Sequence, residues 1–591
     1  MVVAWASAAW ATVRSARAEA ARAEERLSGL VDDLDLQAVL KGADVVGLRS
    51  TAGDLRLTKE RLRSPLLRPV RPLPVLGRQL RSAEALLDTS ARLADATADA
   101  ELGAGAAMAG LKTPGASRLE ALRRLSGTVR DLEQVVATAD LGPRDGLVAE
   151  LDVARGRALD TLTKVGGRLR TAAETLEIGT EVLAGPSRYL LVLANNAEMR
   201  AGSGTYLGIG VLSASEGQLK LDGTDSVGGF KVPPGIVEPE ADVAARWGWL
   251  RPTDHFQSLM LSPRFEASAP SAARMWELAG QAPVDGVIAV DVGAVVALMG
   301  SVGPIEVDGV TLTAASAQEE LLHGQYLRFP DKTDRRDSLQ VIVGEIFGRL
   351  TSGALDLPTV AEGLAHAVRG RHLMAWSRRA PDQALWDRTG AHGRLTDASL
   401  LVSSINVGSN KLDPNLKVEA QFSNAPSPEP NATDHELRIT LTNSSRSSDP
   451  TYVTGPNLDY LKNGEYFGIL SVNLPGYANQ PTVDGEAALA VLGTDGPGRV
   501  IGVQYRLLRG ESRTVVVRFQ TAGREGSLRL EPSSRLPGIR WEAAEPAMRD
   551  HRPTVVRWPA HSAGATVQPP ERDESLPGTG TSPAGATIGG G

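Results

Sequence analysis

At 591 residues the chain is too long for one ordinary hydrophobic core, and roughly three or four domains are expected. Its formal net charge of −7 is small for that length, so no whole-chain field draws it to nucleic acid. Cysteine is absent, which excludes disulfides, thiolate metal sites and a cysteine nucleophile. The 63 basic residues are 53 Arg and 10 Lys. With abundant Ala and Gly, that bias points to a GC-rich genome, such as that of an actinobacterium.

Residues 2–13 (VVAWASAAWATV) are apolar or small, include Trp5 and Trp10, and precede Arg14, Arg17, Arg22 and Arg26. A helix of that length spans roughly 18 Å, short of a ~30 Å hydrocarbon core. The segment reads as the end of a membrane anchor, with Trp at the interface; the alternative is the apolar start of a soluble helix. Residues 14–185 read as a helical stalk or bundle. Leu147, Leu151, Ala154, Ala158, Leu162, Val165, Leu169, Ala172 and Leu176 form one apolar stripe at steps of three and four. Leu119, Leu122, Leu125, Val129, Leu132 and Val136 form another. Pro65, Pro69, Pro72 and Pro74 break the helix, and Gly142-Pro143 marks a turn.

Residues 186–410 alternate as a central α/β domain with a mixed sheet should. The pattern predicts strands over 188–194, 205–213, 217–222 and 284–291, and helices over 268–281, 292–300, 314–324, 335–352 and 357–370. From 411 to 560, short alternating runs separated by Asn, Gly, Pro and Ser predict a β-sandwich. Residues 561–591 are rich in Pro, Gly, Ser and Thr and read as a disordered tail. Within it Leu576, Pro577, Gly578, Thr579 and Gly580 fit the LPxTG pattern that sortases cut. The apolar segment and basic tail that complete such a sorting signal do not follow over 581–591, so a surface protein trimmed at both membrane-facing ends is expected.

The stretch YLLVLANNAEMRAGSGTYLGIG (189–210) resembles the start of the domain of unknown function 4012 family of envelope-associated bacterial proteins. Residues 71–88, 284–309, 331–340 and 405–416 extend the resemblance, in order, over roughly 70–560. It implies an exported, membrane-anchored protein and leaves the activity open. The central domain is also similar, more loosely, to the LytR–CpsA–Psr family, which moves glycopolymers from a polyprenyl-pyrophosphate carrier onto the cell wall. That likeness implies pyrophosphate-holding arginines, matched here by Arg200, Arg335 and Arg336, and acidic residues that hold a divalent cation. The Asp-Thr and Pro-Arg-Asp elements of that family lack clear counterparts here.

Chemistry gives these residues a reason of their own. Guanidinium groups bind phosphate oxygens in pairs and stay charged, and Arg335 and Arg336 open a helix whose N–H groups add positive potential. Glu198 or Asp225 would supply oxygens for Mg2+ on a pyrophosphate. Asn195, Asn196 and Glu198 read either as ligand contacts at a strand end or as a hydrogen-bonded turn that fixes the sheet. The eight His show no metal-ligand spacing, and no nucleophile elbow or phosphate loop is present. The aromatic group Tyr452, Tyr460, Tyr466, Phe467 and Tyr477 reads as sandwich core and loop packing; the alternative is a carbohydrate-binding face. Three functions follow as expectations: an envelope protein binding a wall glycopolymer or its lipid-linked precursor, a transferase of such a polymer, or a surface adhesin.

Overall fold

The computed structural model describes residues 45–307, 309–329, 332–352, 357–484, 488–542 and 549–558. The expected anchor remnant at 1–13 and the tail with its 576–580 motif lie outside the described residues. Among the described residues no helix is long and apolar enough to cross a membrane.

Four helices, α1 (Val45–Leu62), α2 (Leu76–Leu111), α3 (Ala116–Ala137) and α4 (Ala149–Ala184), pack in succession. The stripe on α4 is buried at Leu151, Ala154, Ala158, Leu162, Val165, Leu169 and Ala173. It meets Leu125, Val129 and Leu132 of α3 and Leu80, Leu87 and Ala104 of α2 in one core. Each fully buried Leu or Val there contributes about 1.5–3 kcal/mol. The proline cluster forms a 3-10 turn, Pro65–Val70, between α1 and α2.

The bundle is fixed to the central sheet by backbone hydrogen bonds. Glu216 and Gly217, in the turn between the second and third strands, donate to Ala184 and Leu183 at the end of α4, and Gly115 donates to Gly217. The sheet has the order β3-β2-β1-β4-β7, with β1 (Ser187–Met199), β2 (Gly204–Ser215), β3 (Gln218–Ser226), β4 (Gly286–Asp291) and β7 (Leu373–Ser377). A small hairpin, β5 (Ile305–Val307) and β6 (Val310–Leu312), stands apart from it. β1 and β4 are parallel; the other neighbours are antiparallel, so the sheet is mixed. The apolar run YLLVLA is buried on both faces, as a central strand should be. Leu190 and Val192 face α6 (Phe265–Leu278), which follows the short α5 (Ala241–Trp247). Leu191 faces α7 (Val292–Val302) and the elements after it, in a core continuous with the sandwich.

After α7 come α8 (Ala314–Glu319), a π turn (Glu320–Gly324), α9 (Gln325–Arg328), α10 (Lys332–Ser352), α11 (Leu357–Arg369) and α12 (Ala380–Thr389). The sandwich pairs a six-stranded sheet with a five-stranded one. The first has β8 (Ser399–Asn406), β11 (Tyr466–Leu474), β13 (Ala488–Asp495), β14 (Gly498–Leu507), β16 (Gly526–Leu530) and β18 (Thr554–Trp558). The second has β9 (Leu416–Pro426), β10 (Ala432–Asn443), β12 (Asn479–Asp484), β15 (Ser512–Ala522) and β17 (Arg540–Glu542).

Two differences from the sequence pattern have physical causes. β8 precedes the boundary drawn at 410, yet it lies between β11 and β16 inside the sandwich. All eight of its residues are buried, so it shows no polar-apolar alternation to betray it. β7 is five residues long among arginines, too short for a periodic pattern.

Candidate functional site

The site begins with a break in the β1–β2 ladder. Asn195 pairs with Thr205, but the next pair is Met199 with Gly204, so 196–198 bulge out of the strand. Asn195 Oδ1 accepts from Ala197 N at 2.9 Å and holds the bulge. Gly204 has to be glycine, because a Cβ there would lie 2.2 Å from the Asn195 carbonyl carbon. The bulge stands at the carboxyl ends of the parallel strands β1 and β4, where open sheets of this kind form crevices.

Asp291 ends β4 and caps α7. Its Oδ1 accepts from Gly293 N (2.8 Å) and Ala294 N (3.2 Å). Its Oδ2 accepts from Asn196 Nδ2 at 2.9 Å and Ser203 Oγ at 3.3 Å, and lies 3.0 Å from His372 Nδ1. His372 comes this close because residue 293 has no side chain; a Cβ there would lie 2.4 Å from Nδ1. Burial disfavours the His372 imidazolium, but the Asp291 carboxylate outweighs it and holds the pKa above its usual value.

Over this strand end lies a cavity of about 290 Å3, near the small end of ligand-binding pockets. Its lining mixes apolar side chains, Leu193, Leu207, Val290, Val292, Val295, Leu321, Ile342 and Val343, with polar ones, Asn195, Glu198, Asp225, Gln257, Asp291, Gln325, Tyr326, Lys411 and Tyr452. The π turn after α8 and the first turn of α9 supply Leu321, Gln325 and Tyr326; such wide turns recur at functional sites. Asn195 Nδ2 donates to the Tyr326 hydroxyl at 2.7 Å. The Lys411 ammonium contacts Glu198 Oε1 and lies 5.5 Å from the centre of the Tyr452 ring. Burial pushes the Lys411 pKa down to about 7, with the Asp413 carboxylate opposing.

Of the residues singled out in the sequence, Asn195, Glu198 and Asp225 line the cavity together. Asp225 is exposed, and its Oδ1 accepts from Ser226 N at 2.6 Å. Asn196 lies beneath the cavity: it donates to Asp291 and to the Ser534 carbonyl and accepts from Val292 N. Arg200 does not line it. Its guanidinium donates to the carbonyls of Gln257 (3.2 Å), Met199 (3.2 Å) and Asn406 (3.0 Å), which ties the β1 end to the sandwich. The phosphate-binding geometry expected of Arg200 is therefore replaced by a structural one. Arg335 and Arg336 lie in the first turns of α10, about two turns before Ile342, and their side chains lie outside the described residues. Glu198, considered for a cation, already has Lys411 as its counter-ion. Among the described residues no group of three or more His, Asp or Glu is placed to hold a metal ion.

Lys411, Tyr326 and Tyr452 were not singled out as site residues. Tyr452, grouped with the sandwich aromatics, instead covers Lys411. A trace of Lys411 was present in the composition. In a chain with so strong an Arg bias, a buried Lys stands where compact charge suits the space better than a planar guanidinium does.

Residues 184–326 match the family model described as a protein of unknown function, DUF4012. The match supports the resemblance read from 189–210 and takes in Asn195, Glu198, Asp225, Asp291 and Tyr326; Lys411 and Tyr452 come from later in the chain. No curated protein and no solved structure matches the chain.

Proposed function

We propose that this is an exported cell-envelope protein whose central domain binds a wall glycopolymer, in its lipid-linked form, without turning it over. One observation carries the reading: a cavity at the ends of β1 and β4 whose lining combines apolar side chains with amide, phenol, carboxylate and ammonium groups. Such a mixed lining suits an amphiphile, whose prenyl segment would meet the apolar side chains and whose sugar hydroxyls would meet the polar ones. The salt bridge between Lys411 and Glu198 neutralises that pair, while Asp225 and Asp291 add carboxylates to the lining. Export and wall attachment rest on residues 2–13 and on the LPGTG motif at 576–580.

The likeness to LytR–CpsA–Psr transferases offers the rival reading, and Arg200 weighs against it. A transferase of that kind needs arginines aimed at the pyrophosphate, whereas Arg200 spends its donors on three carbonyls. The test is a titration with a polyprenyl-pyrophosphate disaccharide and magnesium, with release of the polyprenyl (pyro)phosphate carrier followed in parallel in the presence of a peptidoglycan acceptor. Saturable binding without release is expected, weakened ~10-fold or more by Leu207→Trp, which fills the cavity, and by Lys411→Met. Binding that both variants retain in full, or none by the unaltered chain, would remove the cavity from consideration. Release of the carrier with the saccharide joined to the acceptor would restore the transferase.

A further inference from the structure

The end of the helical bundle farthest from the sheet carries a surface that the bundle itself does not use. Between α1 and α2, Leu67 and Val70 are buried in the bundle core and pin the turn. Gly77 N donates to the Leu73 carbonyl at 2.9 Å, and a Cβ on Gly77 would lie 2.0 Å from the Arg71 carbonyl oxygen, so the turn folds tightly back on α2. Its far side presents Leu73 (45% exposed), Val75 (63%) and Leu76 (39%) on a proline-stiffened backbone. A rigid turn that holds three neighbouring apolar side chains in water differs from apolar residues scattered singly over a surface.

The charge around these residues is one-sided. From 61 to 83 the sequence has six arginines, at 61, 63, 68, 71, 78 and 81, and no Asp or Glu, in a chain whose net charge is −7. Glu84 takes both Arg63 and Arg71. Gln79 joins this end to the α3–α4 connection through Gly146 O (2.8 Å) and Val148 N (3.0 Å). That connection and the first turn of α4 add Asp140, Asp145, Glu150 and Asp152, along with Arg144. The arginines still outnumber the acids.

We infer that this tip docks on the surface of a bilayer containing anionic phospholipid, with Leu73, Val75 and Leu76 entering the interface and the surrounding arginines binding headgroup phosphates. Apolar insertion or a basic patch alone gives marginal membrane binding, while the two together anchor a protein. Guanidinium groups pair with phosphate oxygens at two points. The inference is independent of the ligand proposed for the cavity.

The absence of cysteine makes the test direct, because one introduced thiol takes one label. The full chain carrying Val75→Cys with a polarity-sensitive fluorophore is mixed with vesicles of 30% phosphatidylglycerol in phosphatidylcholine. The expected result is a blue shift and protection from iodide quenching, absent with pure phosphatidylcholine and absent for a label at Asp160→Cys on α4. Adding Arg68→Glu/Arg81→Glu weakens the response ~10-fold or more. Any of three results overturns the inference: a label at 75 that stays quenchable on phosphatidylglycerol vesicles, an undiminished response in the arginine variant, or a shift that follows protein concentration without vesicles. The last would mean that a second copy of the chain covers the tip.

Discussion

Replacing Asp413 with Asn tests the joint between the cavity and the sandwich. Asp413 is fully buried and accepts from Met199 N (3.0 Å), Asn406 Nδ2 (2.9 Å), the Tyr466 hydroxyl (2.8 Å) and Arg535 Nη1 (3.0 Å). Arg535, with 1% of its side chain exposed, also donates to the carbonyls of Asp413 and Leu416. Burial opposes the Arg535 charge, but the Asp413 carboxylate outweighs it and raises the pKa. Asn keeps the shape and removes the charge, leaving a buried guanidinium without its counter-ion. Stranding one partner of a buried pair costs about 3–5 kcal/mol. Urea unfolding followed by tryptophan fluorescence should show a loss of that size. Asp413→Leu/Arg535→Met, which removes both charges, should lose less than the single change. A single-variant loss below about 1 kcal/mol, or a double variant worse than the single, would refute the reasoning. The new NH2 must face two of the four donors to this side chain. Turned toward Met199 N and Asn406 Nδ2, so that the remaining oxygen serves Arg535, it removes the Met199 tether, and the bulge that holds Glu198 should loosen and ligand affinity fall.

His435 should make the sandwich acid-labile. Its ring stacks on Phe519 (centroids 4.8 Å apart) and meets Trp558 edge-on (4.7 Å), and burial pushes its pKa down to about 4, with Asp434 opposing. A His whose folded pKa lies below its unfolded value favours folding when neutral. Stability is therefore full above about pH 6.5 and falls as pH drops toward 4, by about 2 kcal/mol between pH 7 and 5. Denaturation at the two pH values should show most of that difference disappear in His435→Phe; an unchanged difference would assign the acid response elsewhere. Arg200→Gln should cost about 2–3 kcal/mol, because buried carbonyls lose their donor, while ligand Kd stays within about twofold. A large affinity loss at unchanged stability would return Arg200 to the ligand.

The architecture was legible wherever one face of an element meets the core. The α4 stripe and the alternating runs of β10 and β15 repeat at the period of their element and form where that period predicts, while β1 shows itself as an unbroken apolar run that ends abruptly in polar residues. Elements buried all round or very short, β8 and β7, carry no such period. The site was half legible. Asn195, Glu198 and Asp225 stand beside a strand end that marks itself by an abrupt change from apolar to polar. Lys411 and Tyr452 reach the same cavity from the stretch between β8 and β11, at least 186 residues later. Their approach depends on the sandwich docking through Asp413 and Arg535, which no local pattern encodes. Arg200 shows the converse: beside a glycine-rich turn an arginine suggests phosphate, and only the fold reveals the carbonyls that claim it.

Photo-crosslinking decides whether the cavity holds a prenyl chain. A polyprenyl-pyrophosphate disaccharide with a diazirine on the prenyl segment is bound, irradiated, and the labelled peptides are mapped by mass spectrometry. Labels are expected on the apolar lining residues Leu193, Leu207, Val295 and Ile342, and should be lost in Leu207→Trp. Labels confined to the sandwich, or unaffected by Leu207→Trp, would contradict the assignment of the cavity as the binding site.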